Sequence, residues 1–202
     1  MNFQRRCWLA SIFVLLWLLL VVYAQGQSPK VRVLIQTELG GIEVELEAQR
    51  ASATVANFLK YVDGGHYNGG RFHRTVKRNP DNQPNNAIKI EVIQAGVNPD
   101  KAAQDFPPIL LERTNASGLK HVNGTLSMAR AGPDTATSDF FICLGAQPEL
   151  DFGGQRNPDG QGFAAFGQVT KGLDVVKKIQ QAPADKQALT PPIKILSIKR
   201  LN

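Results

Sequence analysis

Arg71-Phe72-His73-Arg74 sets two cations and a histidine around one aromatic ring. On a strand, Phe72 and Arg74 share one face, and Arg71 and His73 share the other. Arginine is seldom buried unpaired. Either Phe72 and Arg74 point outward together, or Arg74 projects over a pocket and is held by a neighbour. The plainer alternative is a surface arginine beside a core phenylalanine at a strand end. His73 by itself reads as a structural, hydrogen-bonded histidine. A second stretch, Gly124–Gly145 (GTLSMARAGPDTATSDFFICLG), has alternating residues, a small flexible middle and the apolar run Phe140-Phe141-Ile142-Cys143. That pattern predicts strand, long turn, strand. Ala129, Ala131 and Gly132 leave the backbone bare where another chain can approach, and Phe141 can set a ring beside the gap. A shallow apolar pocket with exposed backbone at its rim suits an extended peptide better than a small charged metabolite. A plain hairpin in a β domain is the alternative.

Other chemistries find little support. There is no G-x-S-x-G elbow, and His66, His73 and His121 have no carboxylate paired with them locally, so nucleophilic hydrolysis is disfavoured. No H-x-x-x-H, C-x-x-C or calcium-loop spacing occurs, so neither metal nor cofactor is expected. Gly153-Gly154, Gly160 and Gly162 flank Arg156, but the segment after them reads as a strand, which does not fit a phosphate cradle at a helix start. Basic residues outnumber acidic ones, 23 to 17, but they are scattered, which argues against a nucleic-acid partner.

The elements that must position these residues are short. Val31–Gln36 and Ile42–Glu47 alternate apolar and polar residues around Leu39-Gly40-Gly41, a hairpin. Ser52 is placed to cap a helix carrying Val55, Phe58, Leu59 and Val62, which ends at Gly64-Gly65. Arg71–Val76 follows as a strand. Lys77–Ala87 (KRNPDNQPNNA) has almost nothing to bury and is expected to be an exposed loop. Strands are expected at Ile88–Gln94, Ile109–Leu111, Phe163–Val169 and Ile193–Leu201, and a second helix at Leu173–Gln180. With Asn98–Pro108 and Gly153–Gly162 as loops and no βαβ rhythm, this is a mainly β, antiparallel domain. Closing it into a barrel would protect the edges.

The N-terminus reads as a targeting segment. MNFQRR is basic, Cys7–Val22 is apolar, and Val22-Tyr23-Ala24 offers small residues to an export peptidase. The apolar run of about 16 residues is short of the roughly 20 that span a bilayer. Residues 1–24 are therefore expected to be a signal peptide or, uncleaved, an N-terminal membrane anchor acting through residues 7–22. Residues 25–30 are a polar tether, and 31–202 form the domain. The protein is expected to be exported, periplasmic or anchored to the membrane, and a monomer. Outside the signal, Cys143 is the only cysteine; it sits in an apolar strand pattern and reads as a buried, inert thiol.

Taken together, Tyr61-Val62-Asp63-Gly64-Gly65-His66-Tyr67 leading to Phe72-His73-Arg74 resembles the cyclophilin-type peptidyl-prolyl isomerases. So do Val92–Gly96, Gly124–Gly132, Ser138–Cys143, Phe163–Gly167 and Gly172–Ile179, in the family's order across most of Val31–Leu201. The resemblance implies a closed eight-stranded antiparallel β-barrel capped by two α-helices. It also implies cis-trans isomerisation at proline in unfolded or extended polypeptides, assisting the folding of exported proteins. Arg74 falls on the catalytic arginine and Gln94 on the substrate-contacting glutamine. Ala129 and Ala131 fall on the backbone rim, Phe141 on the proline-pocket ring and Leu150 on its aliphatic wall. Phe72, Val92, Arg130, Asp139 and Phe163 fall on further substrate-binding positions. The chain departs from the family's pattern at Glu91 (usually Phe), Val92 (Met), Asp139 (Gln), Glu149 (Trp or Phe, which should weaken cyclosporin binding) and Phe163 (His or Tyr). The Lys77–Ala87 loop is also longer. Glu91 and that loop raise a rival, a non-catalytic peptide-binding cyclophilin. Ile90 or Val92 would fill the lost Phe's space if the strand register shifts.

Overall fold

The computed structural model describes residues 30–201; the expected signal or anchor, and all of the tether but Lys30, lie outside the described residues. Alternation in the first two strands is converted directly into a sheet. β1 (Val31–Thr37) buries Val33, Ile35 and Thr37, and β2 (Gly40–Leu46) buries Ile42, Val44 and Leu46. The turn between them is Glu38-Leu39, with Thr37 Oγ1 donating to Gly40 O and accepting from Leu39 N–H. Gly40 sits at φ +132°, where a side chain would also run into Val175.

The remaining strands are β3 (Arg71–Val76), β4 (Val92–Gly96), β5 (Thr125–Met128), β6 (Phe140–Cys143), β7 (Ala165–Lys171), β8 (Ala184–Asp185) and β9 (Ala188–Leu201). Their order is β1-β2-β7-β5-β6-β4-β3-β9, and β9 pairs back onto β1, so eight antiparallel strands close a barrel. β8 is a two-residue addition on β9. Closure leaves the barrel strands without a free edge.

Two helices pack on the barrel, as expected. α1 (Ser52–Asp63) turns Val55, Phe58, Leu59 and Val62 inward. The Phe58 ring lies 5.5 Å from that of Phe140 on β6 and 5.2 Å from that of Phe166 on β7, so the helix plugs an aromatic core. Ser52 is not the cap; it is already helical, and the residue before it, Ala51, makes no side-chain cap. The carboxylate of Glu112 caps the helix from outside instead, accepting from Ala53 N–H, Thr54 N–H and the Thr54 hydroxyl. A one-turn helix, α2 (Thr114–Ser117), follows Glu112, and α3 (Leu173–Gln181) buries Val175, Val176 and Ile179.

Five expectations change. β4 starts at Val92 rather than Ile88, because side chains take the preceding backbone: Gln83 bonds both the N–H and C=O of Ile90, Arg156 the Ile88 carbonyl, and Arg78 the Lys89 carbonyl. For the same reason the Lys77–Ala87 loop is not wholly exposed. Gln83 is buried with its amide satisfied, and Asn82 bridges Thr75 O and Lys186 O. Ile109–Leu111 forms a single bridge to Ala136 rather than a strand. β7 begins at Ala165 and β9 reaches back to Ala188, past Pro191 and Pro192.

Candidate active site

Arg74, Gln94 and Phe141 stand in one row across three strands. Arg74 on β3 is opposite Gln94 on β4, which is opposite Phe141 on β6, and Ser127 on β5 follows. A second row, Val76, Val92 and Cys143, runs beside it on the same outer face. The alternate residues Ile93, Ala95, Phe140 and Ile142 enter the barrel core. Period-two alternation thus gives β4 and β6 two apolar faces, one for the core and one for a pocket outside it.

β3 joins that row through a bulge. Phe72 pairs with Ala95 and Arg74 with Gln94, so His73 is the extra residue. Phe72 and Arg74 therefore do not share a face. Phe72 is fully buried in the barrel core against Phe140, and its expected place at the substrate site is not where the structure puts it. The bulge lets a core phenylalanine and a pocket arginine stand two residues apart.

The arginine is held by two amides. Nε and Nη2 of Arg74 donate to Gln187 Oε1 at 2.9 and 2.7 Å, and Nη1 donates to Gln94 Oε1 at 2.9 Å. Gln94 in turn donates from Nε2 to Asp139 Oδ2 at 3.0 Å. Three of the five guanidinium N–H donors are engaged, which leaves two for a ligand. Burial lowers the Arg74 pKa from its ordinary value, but an arginine stays protonated at any physiological pH. Half-buried Asp139 shifts the other way: burial raises its carboxyl, against the Gln94 hydrogen bond and the nearby His73 ring.

The cavity under this arginine has a volume of about 330 Å³ and is lined by Arg74, Asn86, Ile90, Val92, Gln94, Ala129, Arg130, Phe141, Leu150, Arg156, Asn157 and Phe163. Phe141 and Phe163 meet edge to face with centroids 5.3 Å apart. Leu150 comes from a 3₁₀ turn at Pro148–Leu150, and Val92 and Ile90 close the other wall. Arg130 braces the Phe163 side. Its guanidinium binds Asp159 through two bonds of 2.7 and 2.9 Å, donates to Gly162 O and lies 5.0 Å from the Phe163 ring centroid.

Behind Phe141 the structure shows a pairing that the local sequence did not reveal. His121 Nδ1 is 2.8 Å from Asp151 Oδ1, its Nε2 is 2.9 Å from Ser127 Oγ, and its ring stacks on Phe141. The three residue types are those of a hydrolytic triad, but Ser127 is wholly buried and cannot meet a substrate. The chain fixes the floor of the pocket. Cys143 is also buried, and burial pushes its thiol far up, so it is no nucleophile.

Besides Phe72, two more expected residues lie outside the cavity. Asp139 stands next to it, on Gln94. Ala131 is on the surface, and its N–H is bonded to Thr135 Oγ1, as is that of Gly132; Ala129 N–H bonds Asp139 O. The rim is less bare than the small residues suggested.

A family model for cyclophilin type peptidyl-prolyl cis-trans isomerases matches residues 32–200. The chain belongs to this family. Peptidyl-prolyl cis-trans isomerase A of Dickeya dadantii is 36% identical over 179 residues, covering 88% of this cyclophilin and 85% of that protein. A peptidyl-prolyl cis-trans isomerase of Acinetobacter baylyi is also 36% identical, over 82% of each chain. A solved cyclophilin-type isomerase from Cryptosporidium parvum shares the fold, with a TM-score of 0.68 at 23% identity over 86% of this chain and 98% of that one.

Within this cyclophilin the departures sort by direction. Glu91 points away from the cavity, toward Gln180 on α3, while Ile90 and Val92 line it, so no acid enters the pocket there. Glu149 folds back to accept from Gln155 N–H. Sequence reasoning missed Gln187, Asn86, Asn157 and Arg156 as site residues. Arg156 had a signal, a lone cation among glycines, but Gln187 is an amide in an unmarked turn. A larger cavity, about 740 Å³, lies between the 77–86 loop and the β8–β9 hairpin. It is walled by amides, prolines, lysines and Asp81, and has no aromatic ring to hold proline, unlike the smaller one.

Proposed function

We propose that this domain accelerates rotation about X–Pro bonds in extended or unfolded chains, with Arg74 as the catalytic residue. The observation that carries the reading is Arg74 itself, immobilised by Gln187 and Gln94 beside the Phe141–Phe163 pocket with two donors to spare. Resonance holds the amide planar behind a barrier of about 18–20 kcal/mol. As the bond twists, the nitrogen lone pair localises and becomes a hydrogen-bond acceptor. A donor fixed beside the proline nitrogen therefore binds the twisted amide better than either planar form, and that difference lowers the barrier. Each tenfold in rate requires only about 1.4 kcal/mol. Phe141, Phe163, Leu150, Val92 and Ile90 grip the ring, and Gln94, with the Ala129–Arg130 segment, meets the flanking peptide. No bond is broken and no nucleophile is called for.

The biological setting follows from the sequence. The basic start, apolar run and Val22-Tyr23-Ala24 support export, with newly translocated chains as substrates. N-terminal sequencing of the protein from its native host tests this: a mature chain beginning near Gln25 is the expected result, and an intact Met1 places the domain on a membrane anchor.

Cis-trans exchange of an Ala-Pro-Phe peptide, with the protein at trace concentration, tests the catalytic reading. Residues 25–202 should accelerate exchange strongly, and Arg74→Ala should lose about 100-fold or more in kcat/KM, as when a positioned donor is removed from a charge-developing site. No acceleration by the folded, unmutated protein would leave a peptide-binding barrel that acts only at stoichiometric amounts.

A further inference from the structure

We propose that the pocket favours proline segments that carry an acidic side chain next to the proline, with Arg156 as the residue that reads it. The proposal rests on the isomerase reading and adds to it a substrate class. Its basis is the charge balance of the cavity. Arg74, Arg130 and Arg156 all line it. Arg130 is neutralised by Asp159. Arg74 and Arg156 are not in an ion pair with any carboxylate among the described residues. Arg74 binds the amide oxygens of Gln187 and Gln94, and Arg156 Nη1 binds Gln83 Oε1 at 3.1 Å and the Ile88 carbonyl at 2.6 Å.

The nearby acids are directed elsewhere. Asp139 accepts from Gln94, Glu149 from Gln155 N–H and Glu91 from Gln180. Two half-buried guanidinium groups thus share one cavity against neutral acceptors. Burial opposes both charges, and the charge of Arg74 further disfavours that of Arg156. A cation in such a site is under-compensated, and an anion that enters with the ligand relieves the imbalance while gaining charge-assisted hydrogen bonds. Arg156 is suited to supply them, because its Nε and Nη2 make no hydrogen bond among the described residues. Its Nη1 bonds fix the head group against the inserted loop, so the free donors are held in place. Arg74 has its own task at the amide nitrogen, which leaves Arg156 for the side chain.

The experiment compares matched peptides with Glu, Ala or Lys immediately before proline, and immediately after it, on residues 25–202 and the Arg156→Gln and Arg156→Lys variants. For the unmutated protein in low salt, kcat/KM for Glu should exceed that for Lys by about ten-fold at one of the two positions and should fall toward equality as salt is raised. Arg156→Gln should collapse the ratio, and Arg156→Lys should retain part of it. A ratio within one protein does not depend on how much of that variant is folded, which separates recognition from the hold of Arg156 on the loop. Equal turnover of all three peptides by the unmutated protein overturns the proposal, and so does a preference that survives Arg156→Gln. If no peptide is accelerated, the isomerase reading is what fails. Binding of the same peptides, followed by NMR titration, then decides the acidic preference: tighter Glu binding lost in Arg156→Gln upholds it, and indifference overturns it.

Discussion

Arg74 shows how a single side chain is made useful by neighbours far away in sequence. A free arginine carries about 2 kcal/mol of rotamer entropy. Here two of its three bonds go to Gln187, 113 residues further along, and the third to Gln94. Gln187 is in turn held by Asn82 O, which accepts from its Nε2. The 77–87 loop therefore supports Arg74 through one amide. Gln187 does not line the pocket and acts only on Arg74, so it is a positioning residue. Gln187→Ala should reduce kcat/KM for the Ala-Pro-Phe peptide about ten-fold through kcat, with KM little changed, because orientation in the twisted state is lost while the ring pocket stays intact. Gln187→Glu keeps the acceptor toward Arg74 but loses the donor to Asn82 O, and should recover only part of the rate. Unaltered kinetics in Gln187→Ala would show that Gln94 alone suffices to orient Arg74.

Among the elements, α1 depends on a residue outside it. Its first turn contains no acid and no side-chain cap of its own, and the Glu112 carboxylate occupies the place where the exposed N–H groups and the positive end of the helix dipole converge. Glu112→Ala should lower unfolding free energy by about 1–2 kcal/mol, and Glu112→Gln by roughly half as much. Urea titrations with an unchanged slope would verify it. The cap was not legible because it lies 58 residues from Thr54, while Ser52 offered an apparent local cap. Alternation made β1 and β2 plain, an unbroken apolar run made β6 plain, and helical spacing made α1 plain. Where side chains rather than strands satisfy the backbone, at Ile88–Ile90, alternation misled. The site divides in the same way. Phe141, Gln94 and Leu150 followed from the family pattern, but the bulge at His73 cannot be read from Arg71–Val76, and it alone decides that Arg74 faces the pocket while Phe72 does not.

For the molecule as a whole, the carboxylates give acid stability a predictable shape. The Asp159 carboxyl is lowered to about 2, chiefly by its Arg130 hydrogen bonds, and Asp63 is lowered by Arg200. Burial opposes ionisation of Asp151, but the His121 hydrogen bonds and charge, with Lys120, bring it below its ordinary value. In each case the native state holds its proton less tightly than the unfolded chain. Their contribution is thus complete above the ordinary carboxylate range and is lost as pH falls through the native values. Asp139 has the opposite sign, since burial raises it; its ionisation weakens the fold, and that cost disappears as the pH drops below its native value. The melting temperature should therefore stay level on mild acidification and fall steeply from about pH 4 toward pH 2. Asp159→Asn isolates one part of this. It removes the anion that matches Arg130, so its melting temperature should lie below that of the unmutated protein at neutral pH, and the two curves should draw together as pH falls toward and below about 2, through the range where Asp159 itself takes up its proton. A constant offset at every pH would mean that Asp159 acts through its shape and hydrogen bonds to the Gln161 turn, and that the brace behind Phe163 does not depend on its charge.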